Sequence, residues 1–235
     1  MMGFNKALAD GAVTLFEIEV AGLAARAVEF FRLLGRGAVA LNFAMEGIFA
    51  GLDNGGLSRD FEFILQLGLR FDIALDTKQA PKTTNSFAYL AEEGFYNDLT
   101  FHRIVPGFVI QGGDGQYGRV RSDGKLAVAD LAKVGSGTPG YTIADDPPRT
   151  DYTRGTVAMA RTGDPHSEAA QFFIVLGDGP DTQSLSTSNP YGYAIIGSVT
   201  SGMDAVDAIA AMPNTGDPNN AAIDPVPMTA VTVGP

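Results

Sequence analysis

Residues 101–114 read Phe101-His102-Arg103-Ile104-Val105-Pro106-Gly107-Phe108-Val109-Ile110-Gln111-Gly112-Gly113-Asp114, and the reading of this stretch decides the rest. Side chains alternate along a strand, which puts Phe101, Arg103 and Val105 on one face. Pro106-Gly107 then marks a turn, since proline presets φ and glycine tolerates positive φ, and a second strand begins at Phe108. A guanidinium on a strand among aromatics, with Gln111 close by, is a polar anchor in an apolar groove, as small binding sites require. Taken alone, Arg103 suits a surface ion pair better; the segment as a whole reverses that preference.

Outward from this hairpin, short apolar runs alternate with turns. Phe61–Gln66 and Arg70–Leu75 flank Leu67-Gly68-Leu69 and read as a hairpin. Further strands are expected at Thr100–Val105, Phe108–Gly112, Thr156–Ala160, Phe172–Leu176, Ala194–Val199 and Met228–Val233, eight in all. Apolar residues at helical spacing mark two helices, Lys82–Glu93 and Gly202–Ala211. Eight short strands and two helices suit a mainly β, closed antiparallel barrel plugged at its ends, because closure removes the sheet edges.

Residues 1–57 carry a different pattern. Leu23, Ala27, Phe30, Phe31 and Leu34 recur at helical spacing, as do residues from Val39 to Phe49, and Asp53-Asn54-Gly55-Gly56 breaks the chain. The expectation is an N-terminal extension over 1–57, helical or poorly ordered, and one β-rich domain over 58–235. Gly115 to about Asp151 forms one long connection, and length of that kind inside a compact domain usually signals function or flexibility. In its first part Arg119, Arg121, Lys125 and Lys133 outnumber Asp123 and Asp130, which reads as a solvated basic loop.

Composition narrows the chemistry. A formal net charge of -11 disfavours attachment to nucleic acid or anionic lipid. With no cysteine, thiolate catalysis, disulfides and Cys-based metal sites are excluded. His102 and His166 lie outside any metal-binding spacing, so no metal and no cofactor is expected. No run of eighteen uninterrupted apolar residues is present, and the absence of a convincing export signal points to the cytoplasm.

The string from Phe101 to Asp114 resembles the signature of the cyclophilins. The likeness extends to Ala80-Pro81-Lys82-Thr83, Gly155–Ala160, Gln171-Phe172-Phe173-Ile174 and Tyr193–Val199, in the family's order. The resemblance implies an eight-stranded barrel capped by two helices and peptidyl-prolyl cis–trans isomerase activity on peptides and on unfolded or partly folded proteins. It implies that Arg103 is the catalytic residue and that Phe108, Val109 and Phe173 wall the proline pocket. Leu185 and Tyr193 match further pocket positions, and Gln111 and Gln171 match residues that position the substrate backbone. Ala160, Arg161 and Thr162 match the segment that pairs with the substrate strand. A module that binds proline-containing peptides without turnover is the alternative, and retention of Arg103 with Gln111 favours the enzyme.

The chain also departs from the family pattern. Arg161 stands where Asn is usual, and residues 163–170 are one longer than the usual loop. Residues 178–190 are rewritten as a polar loop, and the family's drug-contacting Trp is missing, since the chain has no Trp.

Overall fold

Strands with apolar residues on both faces can serve two layers at once, and that is how the sheet of this protein is used. The computed structural model describes residues 15–20, 69–120, 126, 131–147, 151–188 and 191–234. Its strands are β1 (Leu15–Val20), β2 (Leu69–Leu75), β3 (Thr100–Val105), β4 (Val109–Gly112), β5 (Thr156–Met159), β6 (Phe172–Val175), β7 (Ile195–Ser201) and β8 (Ala221–Val233). Every pairing is antiparallel, and the order β1-β2-β7-β5-β6-β4-β3-β8 closes on itself as a barrel.

Alternate strand residues converge on the main core. Phe71 and Ile73 of β2, Ile110 of β4, Phe172 and Ile174 of β6 and Met228 of β8 are all fully shielded there. Phe172 meets Phe87, Tyr96 and Phe101 edge-on at centroid distances of 5.4, 5.8 and 5.8 Å. Such geometries align the positive ring edge with the negative face. Helix α1 (Pro81–Glu92) contributes Phe87 and Leu90, and helix α3 (Met203–Ala210) contributes Val206 and Ile209, as their amphipathic spacing predicts.

Proline at the start of α1 suits a position whose amide needs no helical partner. Ala80 cannot cap the helix, and the role passes to Asp146, whose carboxylate accepts from the amides of Lys82 (2.7 Å) and Thr83 (3.2 Å). A carboxylate here satisfies orphan donors and complements the helix dipole.

Several expectations are corrected. Leu15–Val20, placed by sequence in an extension outside the barrel, is a barrel strand pairing with both β2 and β8. The alternation Phe16-Glu17-Ile18-Glu19-Val20 is a period-two signal, overshadowed by the helical spacing that follows it. The boundary near Ser58 therefore does not separate barrel from appendage. The expected strand 61–66 and the expected helices within 23–49 lie outside the described residues. Residues 180–188, read as loop, form a third helix, α2 (Pro180–Ser188), which starts on proline with Asp181 in its first turn. Its low apolar content leaves no periodic stripe to betray it.

Candidate active site

The β3–β4 hairpin turns at Pro106-Gly107, where Gly107 adopts φ +72° and the Phe108 amide bonds the Val105 carbonyl at 3.0 Å. The register of β3 shifts between Phe101 and Arg103 against both β4 and β8. This bulge overturns the simple alternation. Phe101 belongs to the main core with Ile104, whereas Arg103 is half-buried beside Gln111. Bulges commonly re-aim a side chain at a site, and this one turns the guanidinium away from the face of Phe101.

A directed chain of hydrogen bonds runs from that guanidinium. Arg103 Nη1 donates to Gln111 Oε1 (3.4 Å), and Gln111 Nε2 donates to Gln171 Oε1 (3.0 Å). Gln171 Nε2 in turn donates to the carbonyls of Gly135 and Gly137, each at 2.9 Å. Each amide thereby has a defined orientation, because swapping its oxygen and nitrogen would set donor against donor. Burial lowers the pKa of Arg103, opposed by Tyr193 and Asp217, and a guanidinium remains a cation under all ordinary conditions.

Beside this chain lies a second apolar cluster, distinct from the main core. It contains Val109, Tyr152, Ala158, Phe173, Val175, Leu185 and Ile195, with Val105, Phe108, Ala160 and Tyr193 packed against it. Tyr193 meets Phe173 edge-on at 5.5 Å. Its backbone is gripped by the Tyr152 hydroxyl, which accepts from the Tyr193 amide and donates to the Tyr193 carbonyl, both at 2.8 Å. Burial pushes the Tyr152 hydroxyl up to about 12, so it stays protonated and able to donate. Leu185 reaches this cluster from α2, the element not anticipated from sequence.

Opposite, Arg161 buries its side chain completely while the residue as a whole remains partly exposed, so its exposure lies in the backbone. The guanidinium pairs with Asp145 at 2.7 Å, donates to the Asp164 carbonyl and lies 4.9 Å from the Tyr191 ring centroid. The Ala160 amide bonds the Gln171 carbonyl (2.8 Å), and the Thr162 amide bonds the Ser167 hydroxyl (3.2 Å). Of the three residues expected to pair with a substrate strand, two thus have their amides engaged within the fold.

Sequence reasoning gave no role to Asp114, Tyr152 or Glu168. Asp114 is fully buried; one of its oxygens accepts from the amides of Gln116 and Tyr117, the other from those of Gly135 and Gly137. It therefore pins the glycine-rich turn that Gln171 reads. A Cβ at Gly137 would sit 2.0 Å from Asp114, so only glycine allows this approach. Burial pulls His102 down to about 4 against the charge of Asp114, so its imidazole is neutral and unsuited to proton transfer near neutral pH. Arg119, expected on a solvated loop, instead donates to the carbonyls of Asn97 and Phe95. Lys133 lies 5.9 Å from the Tyr117 ring centroid. Among the described residues no cluster of His, Asp and Glu could hold a metal, and no helix is long and apolar enough to cross a membrane.

The antiparallel barrel thus carries, beside a shielded apolar cluster, the oriented Arg103 guanidinium and a row of fixed amides. The model of cyclophilin type peptidyl-prolyl cis-trans isomerases matches residues 61–233. A probable peptidyl-prolyl cis-trans isomerase of Brucella abortus is 38% identical over 141 residues, covering 59% of this chain and 66% of the relative. Isomerases of Streptomyces antibioticus and Escherichia coli are 39% and 38% identical, covering 60% and 59% of this chain and 76% and 77% of theirs. The crystal structure of a Cryptosporidium parvum cyclophilin type isomerase superposes with a TM-score of 0.54 at 25% identity, covering 71% of this chain and 91% of that one. The chain belongs to the cyclophilin-type peptidyl-prolyl cis-trans isomerase family. It spans about two thirds of the Brucella relative's length, and β1 precedes the matched region.

Proposed function

We propose that this protein rotates the peptide bond preceding proline in peptides and in unfolded or partly folded proteins, with Arg103 as the catalytic residue. The observation that carries this reading is the half-buried Arg103 guanidinium, held by Gln111, which Gln171 fixes in turn, beside the cluster containing Val109, Phe173 and Leu185. That cluster, with Phe108 and Tyr193 packed on it, would clamp the prolyl ring, and the Arg161 backbone would pair with the residues before proline.

The X–Pro bond keeps partial double-bond character, giving a barrier of roughly 18–20 kcal/mol and an uncatalysed time of about 10–100 s at room temperature. In the twisted transition state the prolyl nitrogen loses conjugation and becomes a pyramidal acceptor. A fixed guanidinium aimed at that nitrogen binds the twisted state more tightly than either planar state, and such differential binding lowers the barrier. The fixed amides would hold the flanking carbonyl and require no reorganisation during rotation. No covalent bond forms or breaks, so no proton transfer is required of the neutral His102.

A protease-coupled assay on a short X–Pro peptide tests this reading. The isomerase reading expects the rate of cis-to-trans conversion to rise with protein concentration. A folded protein that binds the peptide saturably without accelerating the conversion would instead be a peptide-binding module on the same fold.

A further inference from the structure

Glu168 takes no part in the chain of side-chain bonds leading from Arg103, yet it is 1% exposed, and its carboxyl oxygens and carbonyl each accept a hydrogen bond. One carboxylate oxygen accepts from the Ala194 amide at 2.9 Å, the other from the Thr83 hydroxyl at 3.2 Å. Its backbone carbonyl accepts from the Ile143 amide at 2.7 Å. Ala194 is the residue immediately after Tyr193, whose ring packs edge-on against Phe173. Thr83 is fully buried in the first turn of α1, which the main core holds rigidly through Phe87 and Leu90. The carboxylate therefore runs as a strut from a fixed helix to the backbone behind one aromatic wall.

Burying a carboxylate is unfavourable, and an apolar side chain at such a position normally serves stability as well or better. The bonds that Glu168 makes are directional, and both end on backbone or side-chain groups whose placement decides where the wall stands. The nearby Arg161 guanidinium is paired with Asp145. The Tyr193 backbone is also gripped by the Tyr152 hydroxyl, so Glu168 and Tyr152 together fix the segment.

We infer that Glu168 is a positioning residue of the peptide groove, holding the Tyr193 wall against Phe173 through the Ala194 amide with α1 as its anchor. This rests on the reading of that cluster as the proline-ring clamp. The test uses the full chain and a fluorescently labelled Ala-Pro peptide. Peptide Kd is measured by anisotropy and steady-state kinetics by the protease-coupled assay, for Glu168→Ala, Glu168→Gln and Thr83→Val. Glu168→Ala should raise Kd and KM together by roughly 3- to 10-fold while kcat per folded molecule changes less, since Arg103 and Gln111 are untouched. Glu168→Gln keeps a carbonyl oxygen for the Ala194 amide and should restore Kd to within about twofold of the parent. Thr83→Val, which removes the anchor but leaves the Ala194 bond, should raise Kd by roughly 2- to 3-fold, and it carries the test if Glu168→Ala does not fold. An unchanged Kd in folded Glu168→Ala, or in Thr83→Val where the former is unfolded, would overturn the inference, as would a Gln variant no better than Ala. A parent protein that binds the peptide without turning it over would sink the isomerase reading and leave this inference to be decided on Kd alone.

Discussion

Phe172 and Phe173 are neighbours on β6, 0% and 4% exposed, and they serve opposite purposes. Phe172 stands among Phe87, Tyr96 and Phe101 in the main core; Phe173 faces Tyr193, Val109 and Leu185 in the second cluster. Burial alone does not separate them. Their polar company does: Gln111 pairs directly with Phe173 across the β4–β6 register and bonds Arg103 and Gln171. The second cluster is flanked by oriented donors and is the proposed site of the prolyl ring, whereas the main core is packed against the helices α1 and α3. One strand thus sends its even residues into the main core and its odd ones into the second cluster, to which recognition is assigned in the proposed function.

The sharpest way to break this division is to truncate the two rings separately. Phe172→Ala should cost about 3–5 kcal/mol of stability, the usual range for a large buried aromatic. Peptide affinity of the folded fraction should be largely retained. Phe173→Ala should destabilise less and weaken peptide binding by roughly 5- to 150-fold, about 1–3 kcal/mol. Denaturant melts beside peptide titration check both, and equal losses in the two variants would mean that no such division exists.

A second comparison uses pH. Burial pushes the Glu168 carboxyl up to about 7 from an ordinary value of 4.5, opposed by its bonds to Ala194 and Thr83. The folded state therefore binds this proton more tightly than the unfolded state. Its stabilising effect is complete below about pH 4.5 and is lost as pH rises through about 7. His102, drawn down to about 4, acts in the opposite sense: its contribution is present above about 6.5 and lost as pH falls through about 4. The two oppose each other between these values, so the parent curve alone conceals both. The difference in unfolding free energy between the parent and Glu168→Gln isolates the carboxyl. Relative to the variant, the parent should lose about 2–3 kcal/mol between pH 4.5 and 8; a flat difference contradicts the burial argument.

Gln171→Leu should have the smallest effect. It removes the donor to Gly135 and Gly137 and the acceptor for Gln111. Loss of such bonds is worth about 1–2 kcal/mol, or roughly 5- to 30-fold in kcat/KM. Unchanged kinetics would show that the ordering of Arg103 does not depend on the row of amides.

The sequence made legible what depends on local pattern. The β3–β4 hairpin was readable from Pro106-Gly107 between apolar runs, and α1 and α3 from their amphipathic spacing. Arg103, Gln111, Gln171, Phe173 and Tyr193, named together through resemblance, lie together along one side of the sheet. What failed had non-local causes. A bulge of one residue moved Phe101 off the face of Arg103, and alternation cannot register an insertion without its partner strand. β1 escaped because strand pairing with β8 spans nearly the whole chain. Asp114, Tyr152 and Glu168 were invisible because their roles consist of bonds to distant backbone groups, which no spacing in one chain encodes.

In the proposed mechanism Arg103 acts on the twisted bond rather than on the bound peptide, and one measurement bears on this directly. The kcat/KM of Arg103→Ala is compared with that of the parent, with peptide Kd and circular dichroism recorded on the same samples. Loss of a preorganised donor of this kind is worth about 2.7–4 kcal/mol, so kcat/KM should fall roughly 10²- to 10³-fold. The dichroism spectrum should be retained and Kd should rise far less, because Val109, Phe173 and Leu185 remain in place. Near-parental turnover by a folded Arg103→Ala protein, or a Kd that rises in step with the loss of kcat/KM, would contradict the account.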